Sequence, residues 1–176
     1  MRTMVKRELL LKAAKFDVAR LKFEAPGGTE IIRDVVEHPG AAVILPVLDD
    51  GRVVMIRNLR RIVGKTLWEL PAGTLEGGEP PEECAARELE EETGYRAKTI
   101  KPLTEFFASP GILNERMYGY LATELERTAQ ALDESEEIEV FPLPSWQVRD
   151  MLKDGHIEDG KTIALLLYWM HIYTPE

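Results

Sequence analysis

Cysteine is almost missing from this 176-residue chain. Cys84 stands alone, which excludes an internal disulfide and fits a reducing compartment. Histidine is scarce as well: His38, His156 and His171 are scattered singly and read as ordinary surface or core residues rather than ligands. No apolar run is long enough to cross a bilayer, since the longest reaches only from Ile163 to Met170. The N-terminal stretch lacks the long apolar segment and small-residue cleavage site of a secretory signal, so a cytoplasmic protein without a membrane partner is expected. Bases are in deficit, 22 Lys and Arg against 31 Asp and Glu, for a formal charge of −9. Such a chain is a poor general binder of nucleic acid, which needs basic surface. A phosphorylated small substrate is still possible if a cation sits between protein carboxylates and phosphates. No repeat or low-complexity tract is visible.

What is present is enough for one well-buried core, because 44% of the residues are hydrophobic. Phe16, Val18, Leu21 and Phe23 alternate before Pro26-Gly27-Gly28, and Ile31, Ile32, Val35 and Val36 follow. This reads as a pair of antiparallel strands around a glycine turn, an arm over residues 1–38 ahead of a main domain over 39–176. Ala41 to Leu48 is nearly continuous apolar sequence, as in a strand buried on both faces. Asp49-Asp50-Gly51 marks a turn into strand-like Arg52 to Ile56, and Lys65 to Leu70 reads as another strand, stopped by Pro71. Pro80 to Thr93 reads as a helix, with prolines in its first turn and Gly94 where a left-handed cap belongs. Further strands are expected at Leu103 to Ala108, Met117 to Ala122 and Ile138 to Leu143, and closing helices at Pro144 to Lys153 and Lys161 to Tyr173. The pattern is α/β, a mixed sheet between helices.

The expected helix is unusually acidic. From Glu76 to Glu92 there are eight glutamates and one base, Arg87. Glu88, Glu91 and Glu92 share a face at helical spacing, where like charges repel. A solvated face is the plain alternative, yet such faces usually intersperse bases, and here only Glu83 to Arg87 offers an i, i+4 pair. The acids also crowd the helix C-terminus, where the macrodipole disfavours anions. A bound divalent cation relieves both penalties. Oxygen donors without nearby His or Cys suit magnesium, with manganese as the substitute.

Taken together, Gly73, Glu79 and the run Arg87-Glu88-Leu89-Glu90-Glu91-Glu92-Thr93-Gly94-Tyr95 match G-x5-E-x7-R-E-U-x-E-E-x-G-U, with U a bulky apolar residue. This resembles the signature of the Nudix hydrolases, and Tyr95 in the last U slot is its loosest fit. The resemblance implies the Nudix fold and magnesium-dependent cleavage of a nucleoside diphosphate linked to another group. It implies Glu88 and Glu92 as metal ligands, with the Ala72 carbonyl beside them. Glu91 either joins the metal cluster or is held by Arg87, which orients the glutamates. Glu79 is a remote ligand or a loop anchor. Gly73 and the loop after Pro71-Ala72 turn the carboxylates toward a diphosphate, and Gly94 ends the helix. Leu89, Cys84 and Ala85 pack the helix on the sheet.

Outside the signature, Pro110 lies fifteen residues beyond Tyr95, Arg57-Asn58-Leu59-Arg60 follows a core strand, and Asn114-Glu115-Arg116 follows the proline. These resemble the ADP-ribose pyrophosphatase branch, although Asn58 and Leu59 replace its commoner Gln and Phe. The branch implies ADP-ribose as substrate, AMP and ribose 5-phosphate as products, and substrate contacts from Arg60, Glu115, Arg33 and Gly73. Glu136, with Glu134 second, is the loop glutamate expected as base or extra metal ligand before the strand at Ile138. A homodimer built through the N-terminal arm is implied as well. GDP-mannose or another nucleotide sugar is the alternative substrate, and a non-catalytic ADP-ribose sensor the alternative of another class.

Overall fold

The computed structural model describes residues 3–134 and 136–173. The first element is a strand that the sequence pattern did not announce, β1 (Thr3–Lys12). It pairs antiparallel with β2 (Asp17–Glu24), and β2 pairs antiparallel with β3 (Glu30–Glu37). The N-terminal arm is therefore a three-stranded sheet rather than a hairpin. It is tied to the body where Val36 N–H donates to the Ile112 carbonyl and Asn114 N–H donates to the Val36 carbonyl. Met4, Leu9, Leu11, Phe16 and Ile32 remain exposed in or beside this sheet.

β4 (Ala41–Pro46) is buried along its whole length and divides the core in two. Its side chains alternate between faces, as the period of a strand demands. Ala41, Val43 and Leu45 pack with Val148 and Ile157 and with Leu165 and Leu166 of the last helix. Ala42 and Ile44 pack with Cys84, Ala85 and Leu89 of the acidic helix. β4 runs parallel to β9 (Arg116–Arg127) and antiparallel to β7 (Ala72–Thr74), and β9 pairs antiparallel with β8 (Tyr95–Phe107). This is the mixed sheet between helices that was expected, in the order β7-β4-β9-β8. A second, antiparallel sheet, β10-β5-β6, is made of β5 (Arg52–Arg60), β6 (Lys65–Glu69) and β10 (Ile138–Pro144).

α1 (Pro81–Thr93) begins after Pro80 and ends on Gly94, whose φ of 64° places it in the left-handed region that glycine adopts without strain. α2 (Ser145–Lys153) and α3 (Gly160–His171) close the opposite face. Asp159 caps α3 by accepting a hydrogen bond from Thr162 N–H. Among the described residues, no helix is long and apolar enough to cross a membrane.

Candidate active site

α1 and the short strand β7 set the site. α1 buries Cys84, Ala85 and Leu89 against the sheet, which turns Glu88 and Glu92 inward rather than to solvent. Gly73 on β7 makes the close approach possible. A Cβ on Gly73 would lie 1.8 Å from the Glu88 carboxyl carbon. The segment expected as a loop after Ala72 is thus a strand, held on β4 through the pairs Val43↔Ala72 and Ala42↔Gly73.

Arg87 is the hub of the cluster. Its Nε and Nη2 donate to Glu79 at 2.9 Å each, and its Nη1 donates to Glu88 at 2.7 Å and Glu91 at 3.1 Å. The i, i+4 partner is therefore Glu91 and not Glu83, because Arg87 reaches toward the buried acids while Glu83 stays exposed. Glu79 also accepts from Glu76 N–H at 3.2 Å, and its hydrogen bonds to Arg87 hold its pKa below the ordinary carboxylate value. These bonds give Glu79 the geometry of a loop anchor. Arg87 in turn is held even more firmly protonated, chiefly by Glu79.

Glu92 is 3% exposed, and its Oε2 accepts a 2.9 Å hydrogen bond from Ala72 N–H. Burial, with Glu88 and Glu136 nearby, raises its pKa to about 8 despite that bond. Burial raises Glu88 too, against the opposing pull of Arg87. Burial pushes Cys84 up to about 12, so the thiol is inert packing.

Glu88, Glu91, Glu92, Asp133 and Glu136 line one cavity of about 670 Å³, together with Arg87 and Arg60. Glu136 accepts from Asp133 N–H at 3.0 Å within the loop, and Ala131 N–H, just before it, donates to the Glu91 carbonyl of α1 at 2.9 Å. Glu134 does not line this cavity. Among the described residues, the acids do not form a ready-made cage of three metal ligands. Four of them are held by protein donors instead: Glu88 and Glu91 by Arg87, Glu92 by the Ala72 amide and Glu136 by the Asp133 amide. The donor set nevertheless fits a hard divalent cation. It is all oxygen, and burial disfavours the negative charge of Glu88 and Glu92, a penalty that a bound cation would relieve.

A second cavity, about 910 Å³, adjoins the first and shares Arg60, Ala72, Gly73 and Thr74 with it. Its lining is more apolar, with Phe106, Phe107, Leu67 and Met117, and Glu115 stands in its wall. Arg33 lines neither cavity; its Nη1 donates to the Ile32 carbonyl on β3.

Sequence reasoning missed the buried ion network behind Arg60. Glu69 is fully buried and accepts from Arg60 Nε at 2.7 Å and Nη2 at 2.6 Å. It also accepts from Lys161 Nζ at 2.6 Å, and Lys161 donates to Asp159 at 2.9 Å. The one local clue was an acid between Trp68 and Leu70 in an otherwise apolar strand.

This fold and glutamate cluster define a Nudix protein: the NUDIX domain model matches residues 37–166, and the chain belongs to that family. It is 36% identical over 166 residues to the ADP-ribose pyrophosphatase of Bacillus subtilis (strain 168), covering 93% of this chain and 90% of that protein. It is 35% identical over 177 residues to a GDP-mannose pyrophosphatase of Yersinia enterocolitica, covering 92% of each. A crystal structure of an ADP compounds hydrolase matches with a TM-score of 0.81 over 96% of this chain and 92% of that one, at 22% identity, which establishes a shared fold.

Proposed function

We propose that this protein hydrolyses the pyrophosphate bond of a nucleoside diphosphate sugar, with ADP-ribose the favoured substrate and AMP and ribose 5-phosphate the products. The observation that carries this reading is the junction of two unlike cavities along Arg60, Ala72, Gly73 and Thr74. One is rich in carboxylates and suits a diphosphate approached through cations. The other is larger and lined by Phe106 and Phe107, as a nucleoside or sugar requires.

In this reading Glu88, Glu92 and the Ala72 carbonyl hold magnesium, with manganese as a substitute, and Glu91 or Glu136 adds a ligand. Bound magnesium supplies charge neutralisation at the diphosphate and a lowered pKa for the attacking water. Arg60 binds a phosphate oxygen, since Nε and Nη2 are committed to Glu69 while Nη1 meets no acceptor among the described residues. Glu136 takes the proton of the attacking water, because it stands in the same cavity as Glu88 and Glu92 and Glu134 does not. Water attacks one phosphorus, and the bond from that phosphorus to the bridging oxygen breaks. Glu115, in the apolar cavity, contacts the sugar or the base.

The proposal includes residues 1–38 as an assembly and substrate arm on a catalytic domain over 39–176, a homodimer, and a cytoplasmic location. Exposed Met4, Leu9 and Leu11 on the arm support the dimer, and a lone buried Cys84 fits a reducing compartment. GDP-mannose is the second reading, favoured by the equally extensive match to a GDP-mannose pyrophosphatase. A sensing module that does not cut is disfavoured by the complete glutamate set of the signature. Hydrolysis of a nucleotide-sugar panel with and without magnesium, with product identification, decides among the three. ADP-ribose turned over fastest, with AMP released only when magnesium is present, is the expected result.

A further inference from the structure

Arg60 stands where the two cavities meet, with its side chain 41% exposed, while its partner Glu69 is fully buried. A carboxylate buried to that extent needs compensation on both oxygens. Arg60 supplies one hydrogen bond to each, and Lys161 adds a third on Oε2. Lys161 is fixed in turn by Asp159, the cap of α3. The same first turn of α3 reaches the chain again one residue on, where Thr162 Oγ1 accepts from Leu70 N–H at 2.9 Å. The N-terminus of α3 thus grips the corner that leads from β6 into β7.

The charges give this arrangement a consequence. Arg60 and Lys161 bring two positive charges, and Glu69 and Asp159 two negative ones. With Lys161 in place the Glu69 charge is divided between two cations, and Arg60 keeps attraction to spare for a phosphate. Without Lys161 the group carries a net negative charge beside the diphosphate, and the Glu69 carboxylate is free to pivot on Arg60 alone. A guanidinium recognises phosphate through its plane, so a pivoting partner also costs orientation.

We propose that Lys161 is a positioning residue for substrate binding, acting through Glu69 to hold Arg60 in plane and undercompensated at the junction of the two cavities. The inference rests on the nucleotide-sugar reading above and deepens it, because it assigns diphosphate affinity in part to a residue on the last helix. Lys161 need not touch the substrate for this. Its influence passes through the two carboxylate hydrogen bonds to Arg60.

The test uses the full-length protein, steady-state kinetics and calorimetric titration with α,β-methylene ADP-ribose, whose bridging oxygen is replaced by carbon. Lys161→Met should raise KM and the analogue Kd about tenfold while kcat stays within about threefold, the pattern of lost ground-state binding. Lys161→Arg, which keeps the charge, should recover most of the affinity. In an Arg60→Ala background the Lys161→Met change should alter Kd by less than about twofold, since residues acting through one another are not additive. An unchanged Kd in Lys161→Met overturns the inference, and so does an undiminished effect without Arg60, which would mark a direct contact. Should Lys161→Met not accumulate as folded protein, Asp159→Asn is measured by the same ratio, with a rise in Kd expected and no rise overturning the proposal. Failure of the unaltered protein to bind the analogue overturns the substrate reading and this inference with it. Binding by the unaltered protein with a failed Lys161 comparison overturns the inference alone.

Discussion

Gly73 and Glu88 are in such close contact that a single added methyl group would collide with the carboxylate, at 1.8 Å from its carbon and 1.8 Å from Oε1. The glycine is needed here for space, so Gly73→Ala must push Glu88 out of place. Turnover should fall by about a hundredfold or more, as expected when a group that acts in the transition state is misplaced. Far-ultraviolet dichroism and thermal melting should stay near the unaltered protein, because the displaced end is a side chain. Wild-type turnover in the alanine variant would show that Glu88 has no part in the chemistry.

Glu92 gives a pH-dependent stability in the absence of metal. Its pKa rises from 4.5 to about 8 on folding, so the folded protein holds this proton more tightly than the unfolded chain. Stability must therefore fall as pH rises from about 4.5 to about 8, and stay level with respect to this group outside that window. At about 1.4 kcal/mol per pH unit the full effect is a few kcal/mol. Glu92→Gln removes it, and the metal-free variant should melt higher than the unaltered protein at pH 8 but not at pH 4.5. Added magnesium should raise the melting temperature of the unaltered protein at pH 8 and leave the variant nearly unmoved, by mass action on the folded state. Turnover of Glu92→Gln should drop by orders of magnitude. Equal magnesium stabilisation of both proteins would remove Glu92 from the metal site.

The loop before β10 offers a paired comparison. Glu136 lines the acidic cavity and Glu134 does not. Glu136→Gln should lower kcat about a hundredfold or more with substrate affinity within a few-fold, the signature of a transition-state role. Glu134→Gln should leave both nearly unchanged. The reverse outcome moves the base by two positions, and silence in both variants makes the loop a solvated surface.

Assembly is tested by mass. The N-terminal sheet leaves Met4, Val5, Leu9 and Leu11 exposed on β1, whose outer edge has no neighbouring strand among the described residues and invites a second chain. Light scattering at micromolar concentration should give about 40 kDa, twice the chain mass of 19.9 kDa. A monomer reading sinks the dimer. Deleting residues 1–38 should raise KM or prevent folding, and a soluble deletion variant with normal kinetics would show that the arm is dispensable.

What the sequence made legible was local. α1, its proline start and its Gly94 cap lie within one short stretch, and helical spacing alone puts Glu88 and Glu92 on one face. β4 was legible because burial on both faces demands an unbroken apolar run. β1 was not, since its charged residues spoil the alternation and it exists by pairing with β2. β7 has three residues, too few to show a period, and is a strand only because β4 lies beside it. The Glu69–Lys161 contact joins positions 92 apart, and no pattern within a window of sequence encodes it. Of the two i, i+4 neighbours that helical arithmetic offers Arg87, the structure joins it to Glu91 and not to Glu83, and the fold adds Glu79 from the preceding loop.

The three residues of β7, with Arg60, form the whole border between the carboxylate cavity and the aromatic one. If the proposed function holds, cutting and choosing are thereby divided between separate rooms with one doorway. On the proposed reading, substitutions at Leu67, Phe106 or Phe107 can change which nucleoside or sugar is admitted without touching Glu88, Glu91, Glu92 or Glu136. A catalyst built this way can be retuned for a new substrate from one side of the doorway while the machinery on the other side stays as it is.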